Sequence, residues 1–110
     1  MSGTRSLLFV YGTLRQGECN HEQMFGAEFL GPARTAAGFT LVDLGRAPAL
    51  VAGGRESVAG ELYDLDAAHL ARLDEFEEHP VFYVRLSIPL ADGRAAQAYL
   101  LPPDRLPSSR

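Results

Sequence analysis

The chain has 110 residues, of which 46% are hydrophobic and 22% are charged, and its formal net charge is −4. These proportions are typical of a globular protein and exclude a chain that is disordered throughout. At this length a single domain is expected. No apolar run approaches the ~18 residues of a membrane span and the N-terminus does not resemble a signal peptide, so we expect a cytoplasmic protein with no membrane partner.

The inventory of reactive side chains excludes several classes of protein. All ten basic residues are arginine, so the chain offers no lysine for a Schiff base or for a phosphate-binding P-loop. Its one cysteine, Cys19, provides neither an intramolecular disulfide nor a cysteine-rich zinc site. Because the arginines are scattered on an acidic chain, no nucleic-acid partner is expected. The expected partner is a small molecule.

Short strands and turns dominate the predicted elements of the first half. Residues 6–11 are mainly apolar and end at a glycine, which predicts a buried strand that runs into a loop over 12–17. Asn20 is a favourable N-cap residue for a short helix over 21–25. Glycine and proline interrupt residues 28–51 every few positions, which indicates several short strands.

The second half contains the clearest helix. Residues 58–65 predict a strand in which Gly60 marks a bulge or a close approach of two backbones. Asp66 is placed as the N-cap of the following helix, which is expected to end before Pro80.

The last part of the chain predicts a β-hairpin. Residues 81–90 alternate apolar and polar side chains, and a turn at Asp92-Gly93 leads to a return strand over 95–101. Residues 1–101 are therefore expected to form one domain, and residues 102–110 a C-terminal tail. The elements predict an α+β fold with one or two short helices and a mainly antiparallel, strongly bent sheet or small barrel.

Familiar catalytic motifs are missing, although the first loop keeps a useful geometry. Gly12 and Gly17 have the spacing of a P-loop, but no lysine follows. A glycine loop at the end of a strand can aim several N–H groups at one anion, and it is equally compatible with a plain tight turn. Cys19 and His21, two residues apart, do not face each other on a helix. The three histidines are too widely spaced for a local metal motif, so no metal site is expected.

The acidic run at 74–78 separates its carboxylates by helical phase. At about 100° per residue, Glu77 lies between Leu70 and Leu73 on the apolar stripe, whereas Glu75 and Glu78 point away from it. A carboxyl turned toward the core has a raised pKa and suits a general base. The alternative is that the helix frays before Glu77, which leaves the run as a solvated acidic end.

Four sequence blocks, in order, resemble the gamma-glutamylcyclotransferase-like superfamily, and their spacing is most similar to its gamma-glutamylamine cyclotransferase branch. The blocks are Val10-Tyr11-Gly12-Thr13-Leu14; Pro48-Ala49-Leu50; Gly60-Glu61-Leu62-Tyr63; and Leu73-Asp74-Glu75-Phe76-Glu77, the last followed by Pro80, Tyr83 and Arg85. The likeness extends from about residue 7 to about residue 100.

The resemblance implies a small mixed β-barrel flanked by helices and an enzyme without a cofactor. It also implies that the loop formed by Tyr11, Gly12, Thr13 and Leu14 binds the α-carboxylate and α-amine of a γ-glutamyl group, and that Glu77 is catalytic. In the family's reaction the α-amine attacks its own γ-carbonyl, closes a lactam, and releases 5-oxoproline and an amine or amino acid. Glu77 would serve as general base and then as general acid.

Several alternatives remain open at this level. Tyr83 and Arg85 share one strand face, where they either line the site or brace Glu77; for Tyr83 the first role is preferred. Candidate substrates are γ-glutamyl-ε-lysine or other γ-glutamylamines, γ-glutamyl dipeptides, and a γ-glutamyl-protected biosynthetic intermediate. A non-catalytic module that binds a small ligand with the same fold is the competing hypothesis, and a glutamate at position 77 favours the enzyme. The sequence predicts no oligomeric state.

Overall fold

Strands account for most of the regular structure in the computed structural model, which describes residues 4–106. An α-helix and two short 3₁₀ helices, His21–Met24 and Pro103–Arg105, complete it. The strands are β1 (Arg5–Val10), β2 (Glu28–Arg34), β3 (Phe39–Asp43), β4 (Pro48–Ala52), β5 (Ala59–Asp66), β6 (Val84–Pro89) and β7 (Ala95–Leu100), and the helix α1 (Ala67–Phe76) lies between β5 and β6. None of the helices in this range is long and apolar enough to cross a membrane.

The sheet divides at β7. Its strand order is β2-β5-β1-β7-β4-β3, and β6 also pairs with β7, antiparallel along its whole length. Because β6 occupies one edge of β7, β1 and β4 share the other edge. β1 pairs in parallel at Leu8–Gln97 and β4 at Leu50–Leu100. The end of β1 and the start of β4 therefore diverge beside β7, which leaves a gap between them.

The α+β class and the mixed sheet agree with the sequence prediction, but the sheet is not closed into a barrel. Among residues 4–106, β2 and β3 remain the two ends of the strand order, and no pairing joins them. An isolated bridge between Thr35 and Leu90 joins only the residue after β2 to the residue after β6. The pairing branches at β7 instead of continuing round a ring, which is why the predicted barrel does not form.

Most predicted elements are present, with two local differences. Asp66 caps α1 by accepting a hydrogen bond from the N–H of His69 at 2.8 Å, as expected. The short helix near residue 21 is a single 3₁₀ turn, and Asn20 does not cap it. The Asn20 side chain donates to the Thr13 hydroxyl at 2.9 Å instead. The short segment thus serves to hold the first loop.

The alternation predicted over 81–90 is only partly reflected in burial. Ile88 is buried, but Leu86 and Phe82 on the same predicted face are 48% and 39% exposed, whereas Tyr83 is buried. β6 begins only at Val84, so the residues before it follow a turn and do not share the strand's period.

Gly60 marks a close approach of two strands. A Cβ atom there would lie 2.3 Å from the carbonyl oxygen of Val10, so no side chain fits between β5 and β1. The sheet irregularity lies elsewhere, in β2 between Phe29 and Gly31. Of the two roles considered for Gly60, the structure therefore shows the close approach.

Apolar side chains form two core clusters, one of which reaches into the C-terminal segment. Leu106 packs against the cluster that contains Leu73 and Tyr99. Arg105 donates to the carbonyl oxygens of Pro80 and Phe82, both at 2.9 Å. Residues 107–110 of the expected tail lie outside the described residues.

Candidate active site

A cavity of about 560 Å³ opens where the sheet divides. This volume lies in the range of small-molecule sites. Its walls come from the loop after β1, the start of β4, the end of α1 and two tyrosines, and include Tyr11, Gly12, Thr13, Leu14, Pro48, Glu77, Tyr83 and Tyr99. All the site residues predicted from the sequence therefore line one cavity.

The loop after β1 is held in place through its carbonyl oxygens. Three successive carbonyls accept hydrogen bonds from the chain: Gly12 from the Arg15 N–H at 3.1 Å and Nε at 3.0 Å, Thr13 from the Asn20 N–H at 3.0 Å, and Leu14 from His21 Nδ1 at 2.9 Å. A loop whose acceptors are fixed in this way presents its opposite, donor side in one orientation.

The N–H groups of this loop have no acceptor in the part of the chain that the structure describes. Within residues 4–106, the N–H groups of Gly12, Thr13 and Leu14 donate to no protein acceptor. Successive unpaired N–H groups at a cavity form an anion-binding cradle, since each needs an acceptor from water or a ligand. A Cβ atom on Gly12 would lie 2.9 Å from Cγ of Pro48, so glycine is required by the close approach of β4.

Glu77 occupies a fixed position at the end of α1. Its N–H still donates to the Leu73 carbonyl at 2.8 Å, while its φ and ψ of −87° and 0° lie in the bridge region, as is usual for the last residue before a turn. Glu78 follows with a φ of +58°, and its N–H donates to Glu75 O. The N–H of His79 bonds Asp74 O at 2.8 Å.

The hydrogen bonds from the Glu78 and His79 N–H groups form a Schellman motif, which is the usual way for a helix to end in a left-handed residue. Glu77 is the last residue before that turn, so the helix does not fray ahead of it. Glu77 is partly buried on the cavity wall, whereas Glu75 and Glu78 are exposed. The helical phase expected for Glu77 is thus present in the structure.

Burial raises the pKa of Glu77 to about 7. In residues 4–106 no donor hydrogen-bonds its carboxylate, so nothing offsets the loss of solvation of the charged form. Burial likewise raises the pKa of the Tyr11, Tyr83 and Tyr99 hydroxyls above the usual range, and Glu77 contributes to each of these shifts. Three neutral phenols therefore surround a carboxyl that titrates near neutral pH.

A charged clamp anchors α1 one turn before Glu77. Arg85 donates to both carboxylate oxygens of Asp74, at 2.8 and 3.0 Å, and to Gln97 Oε1 at 2.9 Å. The Tyr99 hydroxyl donates to Asp74 Oδ1 at 2.7 Å. Partial burial opposes ionisation of Asp74, but these hydrogen bonds outweigh it and hold its pKa below the usual range. The end of the helix is thereby tied to β6 and β7.

Tyr83 and Arg85 therefore have different surroundings. Tyr83 lines the cavity, and its hydroxyl donates to the Pro48 carbonyl at 3.1 Å. Arg85 does not line the cavity and braces the helix through Asp74. The Tyr11 hydroxyl donates to the carbonyl of Tyr99, which connects the first loop to the same framework.

Some cavity residues were not identified from the sequence. Arg46, Phe76, Phe82 and Tyr99 line the cavity, and Cys19 is exposed at its wall. Tyr99 shares β7 with the polar Gln97, so its polar side chain does not mark it as a site residue in the sequence. In the part of the chain that the structure describes, no group of three His, Cys, Asp or Glu side chains is placed to hold a metal ion.

The fold and the cavity define an α+β domain with a cavity of the size of a small-molecule site. Comparison with known proteins gives the family. A family model described as gamma-glutamyl cyclotransferase, AIG2-like, matches residues 8–109. The chain therefore belongs to the gamma-glutamyl cyclotransferase, AIG2-like family.

Two relatives of this chain are named as gamma-glutamyl or gamma-glutamylamine cyclotransferases. Gamma-glutamylaminecyclotransferase A of Danio rerio is 40% identical over 106 residues, covering 84% of this chain and 66% of the zebrafish protein. A Vibrio cholerae protein, named provisionally as a gamma-glutamylcyclotransferase, is 46% identical over 89 residues, covering 81% of this chain and 76% of its own. The chain thus spans about two thirds of the zebrafish relative's length.

The fold is also similar to a solved structure. The crystal structure of an AIG2-like protein from Mus musculus has a TM-score of 0.78 and 31% sequence identity with this chain. The match covers 94% of this chain and 80% of the mouse chain.

Proposed function

We propose that this protein is a cyclotransferase, which converts a γ-glutamyl amine or γ-glutamyl peptide to 5-oxoproline and a free amine or amino acid. The observation that carries the proposal is that Glu77, a carboxyl with a pKa of about 7, lines the same cavity as three residues whose N–H groups have no acceptor among residues 4–106. Family membership and the name of the zebrafish relative agree with it.

The free N–H groups of Gly12, Thr13 and Leu14 bind the α-carboxylate of the γ-glutamyl group. This assignment uses the donors that residues 4–106 leave unpaired. The α-ammonium then faces Glu77, while Tyr11 and Tyr83 close the cavity around the glutamyl carbons. Binding of this kind selects a folded-back conformer, in which the α-nitrogen approaches the γ-carbonyl.

The chemical step then requires proton transfers, for which Glu77 serves as base and then as acid. Ionised Glu77 takes a proton from the α-ammonium, and the freed amine attacks the γ-carbon to form the lactam C–N bond. The same proton passes from Glu77 to the leaving nitrogen, whose bond to the γ-carbon breaks as the carbonyl re-forms. The attacking nitrogen still carries one proton more than the lactam keeps. The freed Glu77 carboxylate takes this proton and passes it to the released amine, which leaves as an ammonium ion. General acid–base catalysis of this type contributes typically ~10²–10⁴-fold. No step calls for a cofactor.

Product identity tests this proposal most simply. Purified protein is incubated with an L-γ-glutamyl amine, and the products are resolved by mass spectrometry. We expect 5-oxoproline and free amine in equal amounts. Free glutamate instead of 5-oxoproline would mean hydrolysis, and binding of the substrate without any product would favour the non-catalytic binding module.

A further inference from the structure

Arg46 has the opposite charge to the other charged groups at the cavity. The charged side chains that line it within the described chain are Arg46, Glu77 and Glu78, so Arg46 is the single cation. Glu77 is assigned to proton transfer, and the loop N–H groups are assigned to the glutamyl carboxylate. The positive charge at the cavity thus has no role in the reaction as derived.

The β3–β4 hairpin fixes where Arg46 lies. The turn closes by a 3.1 Å hydrogen bond from the Leu44 N–H to the Ala47 carbonyl, and the Gly45 N–H donates to Asp43 Oδ1 at 2.7 Å. Gly45 has a φ of +95°, which a two-residue hairpin turn of this kind requires at its first position. Arg46 therefore projects from a well-defined turn beside Pro48 at the cavity.

Arg46 also has no hydrogen-bond or ion-pair partner among residues 4–106. Six arginines in residues 4–106 hydrogen-bond to other groups, and three do not: Arg46, Arg55 and Arg72. Of those three, only Arg46 lines the cavity.

A shallow groove of about 190 Å³ meets the cavity at Arg46 and contains further charges. Those charges are already engaged: Arg15 lies 3.6 Å from Glu18, and Asp43 accepts from the Gly45 N–H. Of the two guanidinium groups that line the groove, Arg46 is therefore the one with no partner among residues 4–106. A guanidinium of this kind matches the geometry of a carboxylate in two parallel hydrogen bonds.

This inference rests on the proposed function. In that reaction the ligand has two parts, the constant γ-glutamyl group and the variable leaving amine. We propose that Arg46 is a specificity-determining residue that binds a carboxylate carried by the leaving amine. The preferred substrates are then γ-glutamyl conjugates of amino acids, through either the α-amine or a side-chain amine, over conjugates of simple alkylamines. Phe76 and Phe82, 40% and 39% exposed at the cavity, provide an apolar wall for the carbon chain of that amine.

Matched ligand pairs that differ by one carboxylate test the assignment. L-γ-glutamyl-L-alanine is compared with L-γ-glutamylethylamine, and γ-glutamyl-ε-lysine with γ-glutamylcadaverine. Dissociation constants are measured in a Glu77→Gln background, where turnover does not interfere, with and without Arg46→Gln. We expect Arg46→Gln to weaken the carboxylated member of at least one pair about 10-fold or more, as for a lost charged hydrogen bond, and the other member less than about 2-fold.

The control variant is Arg55→Gln, which removes the same charge from an exposed arginine outside the cavity. It is expected to change neither member of a pair. Equal weakening of both members by Arg46→Gln would show that Arg46 contacts the glutamyl part, and no weakening would show that it contacts no ligand carboxylate; either result overturns the assignment. Release of 5-oxoproline by the wild-type protein is measured separately and tests the proposed function, so the two failures are distinguishable.

Discussion

Asp74 and Glu77 lie three residues apart at the end of α1, and their surroundings shift their pKa values in opposite directions. Hydrogen bonds from Arg85 and Tyr99 hold the pKa of Asp74 below its usual range, whereas burial without a donor raises that of Glu77 to about 7. Opposed shifts of this kind distinguish a structural carboxylate from one suited to acid–base chemistry. The first fixes the end of the helix, and the second faces the cavity.

The pH dependence of kcat/KM follows from the raised pKa. Glu77 must be ionised to accept the proton, so we expect kcat/KM to rise through about pH 7 and to level off above it. Initial rates between pH 5 and 9 at low substrate concentration measure this. A profile that is flat from pH 5 to 8 would mean that no group with this pKa controls the reaction.

The same shift predicts how Glu77 affects stability. Its pKa is higher in the folded than in the unfolded state, so the folded chain holds the extra proton, and stability falls as pH rises from about 4.5 to 7. Glu77→Gln is therefore expected to raise the free energy of unfolding at pH 8, by an amount on the order of 1 kcal/mol after screening by solvent. At pH 4 the two proteins should differ little. Urea unfolding at both pH values gives the comparison, and an equal effect at both would contradict the linkage.

The clamp on α1 requires both nitrogens of a guanidinium. Arg85→Lys keeps the charge but loses the paired geometry to Asp74, so we expect a loss of about 1–2 kcal/mol in the free energy of unfolding. The matched control is Arg94→Lys, because Arg94 pairs with Asp92 in solvent, with both side chains about half exposed. That change should have a much smaller effect on the free energy of unfolding, because solvent screens an exposed ion pair. Equal losses in the two variants would show that the clamp is no stronger than a surface ion pair.

Glu78 occupies a backbone conformation that favours glycine, with a φ of +58°. Glu78→Gly is expected to stabilise the protein by roughly 1 kcal/mol, because it removes the strain at this position. Glu75→Gly, three residues earlier and within α1, should destabilise by a similar amount. Denaturant unfolding of both variants decides the matter, and a loss of stability in both would contradict the turn geometry.

The contact between Gly12 and Pro48 leaves no room for a side chain. Gly12→Val is expected to displace the loop and to weaken binding of a γ-glutamyl ligand about 10-fold or more, since the N–H donors lose their alignment. Removing the ring in a Gly12→Val/Pro48→Ala double variant should restore part of the affinity. Calorimetric titration of each variant in the Glu77→Gln background measures this. Unchanged affinity in the single variant would remove the loop from the site.

The features that were predicted correctly from the sequence are those set by local rules. The N-cap at Asp66 and the phase of Glu77 follow from helical geometry, and both are found in the structure. The expected closed barrel is absent because strand pairing branches at β7, which no local pattern encodes.

The missed site residues depend on the three-dimensional fold. Arg46 reaches the cavity only because the division of the sheet brings the β3–β4 hairpin beside the first loop. The clamp needs Asp74, Arg85 and Tyr99 from three separate elements. Neither arrangement has a signature within a single stretch of sequence.

In the proposed reaction, Glu77 transfers the proton that allows the lactam to form. The most direct measurement is the rate of 5-oxoproline release, by mass spectrometry, for wild type, Glu77→Gln and the exposed control Glu75→Gln on a panel of γ-glutamylamines and γ-glutamyl peptides. We expect Glu77→Gln to lose activity by ~10²-fold or more, while still binding ligand, and Glu75→Gln to match wild type. Release by Glu77→Gln at the wild-type rate would show that Glu77 does not transfer this proton.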